Sequence, residues 1–443
     1  RNQKTMDTTT FGVAVLAVGL AALLLQKKRK KTRRTRLERV TAPVLSYLSE
    51  VLEAFGDAYS QDNAGGSILL AVAENKLSWP LLKPRVQAAL AKELPDFVPN
   101  YGPMQGREEC RKVVASFLER NFTRSQQHLE GDDVALLTGV AACLSHVFFA
   151  ICEAGDKVMV PSPSYAAFDF DLGALADLQC VPCDVKNLER SYTRDCTALL
   201  LTNPGNPTGA VLSAKDLADV AAFCERKDMH LVADEIYGLS TFRTHFTSLL
   251  TLPPSPRRHV VWGLSKDFGA SGLRVGAVVS TNENVRKAMA SLSNFSSVSG
   301  VVQHLLIDLL SDAAWCDSFT AQNNALLADA CAFVERRLAF MNLPFQPPHA
   351  GMFLLVDLAE FLPAFSDSED ALYRRLCGDP YKLVLTPGHS MHCSRPGRFR
   401  ICYAWVTPDV LREAMDRLAR FVALHRDDDG GGDDGGDDDD VVA

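Results

Sequence analysis

G-L-S-K-D-F-G-A-S-G-L-R-V-G, residues 263 to 276, follows the apolar run Val260-Val261-Trp262 and sets Arg274 eight residues after Lys266. An apolar run that gives way to glycines and small polar residues reads as a buried strand opening into a ligand-binding loop. Lys266 sits among small residues just past that strand, where its ammonium would be partly desolvated. Desolvation disfavours the charged form and frees a nucleophilic amine. The glycines at 263, 269, 272 and 276 let backbone approach a ligand closely, and the planar fork of Arg274 suits a phosphate dianion. A lone lysine is more often a solvated surface charge, so the reading depends on the neighbouring segments.

Two of those segments end in the same way. Ala198-Leu199-Leu200-Leu201-Thr202 runs into N-P-G-N-P-T-G (203 to 209), and His230-Leu231-Val232-Ala233 runs into Asp234, Glu235 and Tyr237. Apolar runs at 133 to 138, 157 to 161, 197 to 202, 230 to 234, 259 to 263 and 275 to 280 alternate with helical patterns. Among these patterns are 106 to 121 and a helix opened by Ser213 with Asp216. Such alternation predicts an α/β fold with a mainly parallel sheet covered on both faces, and ligands in such folds sit beyond the carboxyl ends of strands. After about residue 310 the pattern gives helices, then strands at 352 to 357, 382 to 385 and 399 to 403 and a last helix from about Pro408. The expected organisation is a large domain over 96 to 310 and a smaller α+β domain built from 37 to 95 and 311 to 426.

Pyridoxal 5′-phosphate needs an imine-forming lysine, a carboxylate that keeps the pyridine nitrogen protonated, and donors to the ring oxygen; the protonated ring is the electron sink. With Lys266, Asp234, Tyr237 and Asn206 in hand, the chain resembles the fold-type I pyridoxal-phosphate enzymes of the class I/II aminotransferase family. Within that family it is most similar to the 1-aminocyclopropane-1-carboxylate synthases and synthase-like proteins. The likeness runs from about Ser46 to about Val422 and includes A-E-N-K-L (73 to 77), Y-G-P-M-Q-G (101 to 106), V-P-S-P-S-Y (160 to 165) and P-G-H-S-M-H-C-S-R-P-G-R-F-R-I-C-Y-A (387 to 404). The resemblance implies that Lys266 forms the imine and moves the substrate proton, that Asp234 pairs with the pyridinium nitrogen, and that Asn206 and Tyr237 bond the ring oxygen. It implies that Tyr165 stacks on the ring, that Arg274 holds the phosphate, and that Arg400 binds the substrate α-carboxylate, for which a bidentate guanidinium is suited. Tyr101 would reach the phosphate of a second subunit, making the active unit a homodimer, and Glu74 would lie near the substrate.

The chain departs from the family where hydroxyl side chains usually meet the phosphate: those positions are Ala141 and Gly263. Backbone amides of Gly139, Val140 and Ala141 at a helix N-terminus can take over, with Ser265 and Arg274 adding side-chain contacts. Restoring serine at 263 is then expected to tighten cofactor retention. Three functions follow. The favoured one is transamination of an α-amino acid with a 2-oxo acid; the second, which Glu74 supports, is a lyase acting on S-adenosylmethionine. The third is a membrane-tethered protein that binds the cofactor without turnover.

The ends of the chain differ from its middle. Phe11 to Leu25 is uninterrupted by charge and is followed by eight basic residues within 27 to 36, which reads as an N-terminal membrane-anchor helix with its basic flank, and the catalytic part, on the cytosolic side. Residues 1 to 36 are expected to form this anchor and flank, and 427 to 443, with nine aspartates between 427 and 440, a disordered acidic tail. The formal charge of -8 therefore belongs mostly to the globular part. No nucleic-acid partner is expected, because no aromatic residues interleave the basic block. Twelve cysteines lie scattered without a paired framework, as in a reducing compartment. His389, His392 and Cys393 fall inside the family-like loop and Cys180-x-x-Cys183 lacks a second pair, so no metal is expected.

Overall fold

The structure is a computed structural model and describes residues 35–124 and 126–426. The apolar stretch 11–25, the basic block up to residue 34 and the acidic tail lie outside the described residues. Among the described residues no helix is long and apolar enough to cross a membrane. The chain divides into two units, Arg1–Ala42 and Pro43–Ala443. The described part of the first is a short helix, Arg36–Val40, held by a capping box between Thr35 and Glu38.

In the second unit seven strands form one sheet: β1 (Val134–Leu137), β2 (Lys157–Pro161), β3 (Gln179–Cys183), β4 (Cys196–Thr202), β5 (His230–Asp234), β6 (Arg258–Gly263) and β7 (Gly276–Ser280). Their order is β1-β7-β6-β5-β4-β2-β3, and only β7 runs against its neighbours. Apart from the edge strand β3, whose Gln179 and Pro182 are exposed, these strands read as nearly continuous apolar runs because both faces are covered. Ala198 and Leu200 of β4 enter one core, with Val232, Val261 and Val278, while Leu199 and Leu201 enter the other, with Leu231, Val260 and Trp262. The same alternation sends Cys180 and Cys183 of β3 to opposite faces, so this pair cannot act together.

A second sheet is antiparallel: β8 (Phe345–Gln346), β9 (Phe353–Asp357), β10 (Thr386–Pro387) and β11 (Arg398–Cys402), in the order β10-β11-β9-β8. The strand expected over 382 to 385 is instead two short pieces. Lys382 turns into the left-handed region (φ 44), Leu383–Val384 then pairs in parallel with Ile68–Leu69, and Thr386–Pro387 moves on to β11. The helix expected over 106 to 121 ends at Leu118 and continues as a wider turn, Glu119–Thr123, closed by Arg124 at φ 52. Ser213 caps the helix Ala214–Arg226 by accepting from the Asp216 amide.

The closing helix Pro408–Arg426 carries Arg417, which is 3% exposed and donates to the carbonyls of Ala64, Gly66 and Tyr381 at 2.9, 2.7 and 3.1 Å. One buried guanidinium thus ties the stretch before Ile68 to the C-terminal region. Arg417→Leu leaves two buried acceptors and one part-buried acceptor without their donor and is expected to lower the unfolding free energy by roughly 2–4 kcal/mol, read as a lower urea midpoint with an unchanged slope.

Candidate active site

The carboxyl ends of β4, β5 and β6 open into one cavity of about 410 Å³. Each strand delivers one functional group as it leaves the sheet. β5 ends on Asp234, β6 is followed by the short helix Leu264–Asp267 with Lys266, and the loop after β4 brings Asn206. Thr202, the last residue of β4, also lines the cavity, and its hydroxyl is buried without a partner.

Asp234 is 6% exposed, and its carboxylate accepts from the Ile236 amide at 3.4 Å. Burial pushes its carboxyl up to about 7, against the Ile236 bond and the charge of Lys266. Burial also lowers the Lys266 ammonium from its ordinary range, with Glu74 acting in the opposite direction. The Lys266 amine donates to the Ala73 carbonyl at 2.7 Å, so a neutral oxygen, not a carboxylate, holds it.

The same cavity is lined by Arg400, 2% exposed on β11. It donates to Asn206 Oδ1 at 2.9 Å, to the Ala71 carbonyl at 2.6 Å and to Thr386 Oγ1 at 3.1 Å, while its Nε is buried without a partner. Asn206 in turn donates through Nδ2 to the Tyr237 hydroxyl at 3.5 Å. Tyr237 is 3% exposed and set edge-on against Phe353. Tyr165 lines the same space, propped edge-on by Phe168 with ring centres 5.3 Å apart. Val140, Ala141, Ser265, Arg274 and Glu74 complete the expected set around the cavity. Tyr101 does not belong to it: it is 94% exposed on a separate loop.

The arrangement fits a phosphorylated pyridine. Gly139, at φ 97, caps the helix Val140–Ile151, and a Cβ there would stand 2.5 Å from an Arg274 nitrogen. Only glycine therefore lets the guanidinium lie against the amides of the helix N-terminus, where an anion is favoured. Arg274 is exposed and donates within the protein to the Thr138 and Ser271 carbonyls at 3.1 and 3.0 Å. Pyridoxal 5′-phosphate would be held by these amides and Arg274 at its phosphate, by Asp234 at its ring nitrogen, by Asn206 and Tyr237 at its ring oxygen, and by Lys266.

Sequence reasoning missed Asp171, on the helix Phe168–Gly173. Its carboxyl lines the cavity and is pushed up to about 7 by burial and by Asp234. It also missed Tyr47, which arrives from far upstream. The F-D-F-D run (168 to 171) could have pointed to Asp171, since Tyr165, Phe168 and Asp171 recur at three-residue spacing. His392, set aside as a ligand, meets Asp169 and Cys180 with their polar atoms within 4.8 Å. Asp169 accepts from His392 at 2.9 Å and its side chain also bonds Cys180, so the three are already one another's hydrogen-bond partners.

Two outcomes are expected from this geometry. A Cβ at Gly263 would stand 2.6 Å from the Val275 carbonyl and 3.0 Å from Val140. Contrary to the expectation from the family pattern, Gly263→Ser should therefore weaken cofactor retention and lower the melting temperature, measured by equilibrium dialysis and calorimetry. Asp171 keeps its proton in the folded chain up to about 7, whereas an unfolded aspartate loses it near 3.8. Its burial thus costs stability that grows as pH rises between those values. In the cofactor-free protein, Asp171→Asn should flatten that part of the pH–stability curve and raise stability above pH 7 by on the order of 1–2 kcal/mol.

Comparison with known proteins agrees with this geometry. Residues 67–418 match the model of the family "Aminotransferase class I and II". The chain is 31% identical over 398 residues to 1-aminocyclopropane-1-carboxylate synthase 7 of Arabidopsis thaliana, covering 82% of this chain and 89% of that one. It is 29% identical over 400 residues to the probable inactive 1-aminocyclopropane-1-carboxylate synthase-like protein 2 of Mus musculus, covering 84% and 68%. A double mutant of Thermus thermophilus aspartate aminotransferase shares its fold, with a TM-score of 0.75, 23% identity and coverage of 87% and 99%. Cavity, strand order and family match lead to one conclusion: the chain belongs to the class I and II aminotransferases, whose cofactor is pyridoxal 5′-phosphate.

Proposed function

We propose that the protein transaminates an α-amino acid with a 2-oxo acid. The observation that carries this reading is the amine of Lys266, held at 2.7 Å by the neutral Ala73 carbonyl between buried Asp234 and buried Arg400. When bound, the cofactor supplies an electron-poor ring that stabilises negative charge at the substrate Cα. Asp234 would keep the ring nitrogen protonated, and Asn206 with Tyr237 would hold the ring oxygen. Arg400, which lines the cavity, would bind the substrate carboxylate, fixing which bond at Cα faces Lys266. Lys266, free of a carboxylate partner, would take the Cα proton and return it to the carbon on the far side of the substrate nitrogen, which the cofactor would supply. Tyr101, exposed in the single chain, is proposed to complete the site of a second copy in a homodimer.

Glu74 favours a second reading, elimination from S-adenosylmethionine. It lines the cavity and raises the basicity of Lys266, so its carboxylate could face a cationic sulfonium. Single-turnover mixing of the cofactor-loaded protein separates the two. With an amino acid and no acceptor, stoichiometric 2-oxo acid and pyridoxamine 5′-phosphate are expected; release of methylthioadenosine from S-adenosylmethionine, with the cofactor spectrum restored, would instead establish the lyase. Lys266→Ala should slow either reaction by at least about 100-fold, and normal turnover in that variant would overturn both readings.

A further inference from the structure

The run A-E-N-K-L (73 to 77) enters the cavity through Ala73 and Glu74, and its hold on Lys266 extends further than one hydrogen bond. Ala73 provides the carbonyl that accepts from the lysine amine at 2.7 Å. Two residues on, Asn75 is 3% exposed. Its Oδ1 accepts from the Leu77 amide at 3.0 Å, and its Nδ2 donates to Asn323 Oδ1 at 2.7 Å. Asn323, 1% exposed on the helix Ala313–Phe340, passes the chain on by donating from Nδ2 to the Asp267 carbonyl at 3.3 Å. Asp267 is the residue after Lys266, so the bonds close a ring that begins at the lysine amine and returns to the lysine backbone.

Within this ring the direction of the two carboxamides is fixed by their outer neighbours. Asn75 meets an N–H that can only donate, that of Leu77, and Asn323 meets a carbonyl that can only accept, that of Asp267. Two carboxamides in series, each accepting on one side and donating on the other, satisfy that polarity. A carboxylate at 323 would set two acceptors against each other, and an apolar residue would leave buried partners unmet. The far side of the ring is rigid as well: the Asp267 carboxylate is bonded by Trp262 Nε1 at 3.0 Å, Ser240 Oγ at 2.8 Å and the Leu239 amide at 3.2 Å. The loop after Lys266 lies directly on the run, since a Cβ at Gly269 would stand 2.8 Å from the Asn75 carbonyl.

We propose that Asn75 and Asn323 are positioning residues for Lys266, fixing the Ala73 carbonyl and the Glu74 side chain against its amine. The proposal rests on the reading of Lys266 as the reactive amine. The groups facing that amine are Glu74, Cys402, Arg400 and Asp234. Of these, Glu74 is carried by the run that the ring secures. The Ala73 carbonyl and Glu74 both favour the ammonium form. If the ring is opened, the run withdraws and the amine keeps its burial but loses these two supports. Its titration then moves further down, away from the ordinary lysine range.

The sign of that movement separates positioning from general loosening, because a merely loosened site would admit water and move the amine upward, toward ordinary lysine. The experiment is competitive acetylation of the cofactor-free protein across pH, with the Lys266 peptide quantified by mass spectrometry and Lys215 as the exposed internal reference. Asn323→Ala and, separately, Asn75→Ala are expected to lower the Lys266 midpoint by roughly half a pH unit or more, with Lys215 unmoved. The double variant should go no lower than either single one, since the two act as one link. An unchanged or raised midpoint in both single variants, with calorimetry showing them folded, would overturn the proposal. A wild-type midpoint already at the ordinary lysine value would instead count against Lys266 as the reactive amine.

Discussion

Arg400 is a buried cation without an anion. Its guanidinium is 2% exposed, forms no ion pair with a carboxylate among the described residues, and is bonded to neutral acceptors supplied by three distant parts of the chain: Ala71, Asn206 and Thr386. Burying a charge is costly unless it is paired, and three neutral bonds offset that cost only in part. The remainder is a standing attraction for an anion inside the cavity that Arg400 lines. The same residue joins the loop after β4, the stretch after Ile68 and the second sheet. The cost of the charge is therefore carried by the packing of all three, and none of them can move far without exposing or stranding it.

The other charged groups of the cavity behave differently. Asp234 and Asp171 are both raised to about 7 by burial, and Lys266 is lowered by the same cause. Without a ligand these groups can shed their charges, because the carboxyls can hold their protons and the amine can lose one. A cationic ring nitrogen placed against Asp234 would reverse that, since a carboxylate stabilises the cation and is itself returned to the ionised form. The cavity thus has one permanent positive charge, at Arg400, and negative charge that depends on what occupies it. A zwitterionic α-amino acid, with its carboxylate at Arg400 and its nitrogen toward Lys266, matches that arrangement.

Much of this could be read along the chain because the chemistry falls where the periodicity changes. Strands buried on both faces give continuous apolar runs, and Asn206, Asp234 and Lys266 fall at or within a few residues of the ends of β4, β5 and β6. Singly, Asp234 and Asn206 read as ordinary cap and turn residues; taken together with Lys266 they match what the cofactor needs. Arg400 and Tyr165 needed the family pattern, since an arginine inside a strand and a tyrosine after Pro-Ser carry no local signal of a shared cavity. Asp171 left only the weak signal of its three-residue spacing with Tyr165 and Phe168, and the Asn75–Asn323 link was not legible because side-chain direction across tertiary contacts decides it: Asn75 and Asn323 are 248 residues apart. The division of 382 to 387 between two sheets was hidden for a similar reason. Lys382 adopts φ 44, a conformation that its residue type does not announce.

The expectation for position 263 shows how a family pattern can mislead when it is read one residue at a time. Absent hydroxyls at 141 and 263 suggest a phosphate site that has lost two contacts and could regain one. In the folded chain the end of β6 lies so close to the start of β7 that a Cβ at 263 would press on the Val275 carbonyl, while Gly139 is needed to admit Arg274. The two glycines are consequences of one close approach between the loop before the helix Val140–Ile151 and the β6–β7 pair. That approach brings the helix N-terminus and Arg274 together, so a phosphate bound there would be met by backbone amides and a guanidinium in place of hydroxyls. A hydroxyl added at 263 would have to push apart the surfaces that create the site.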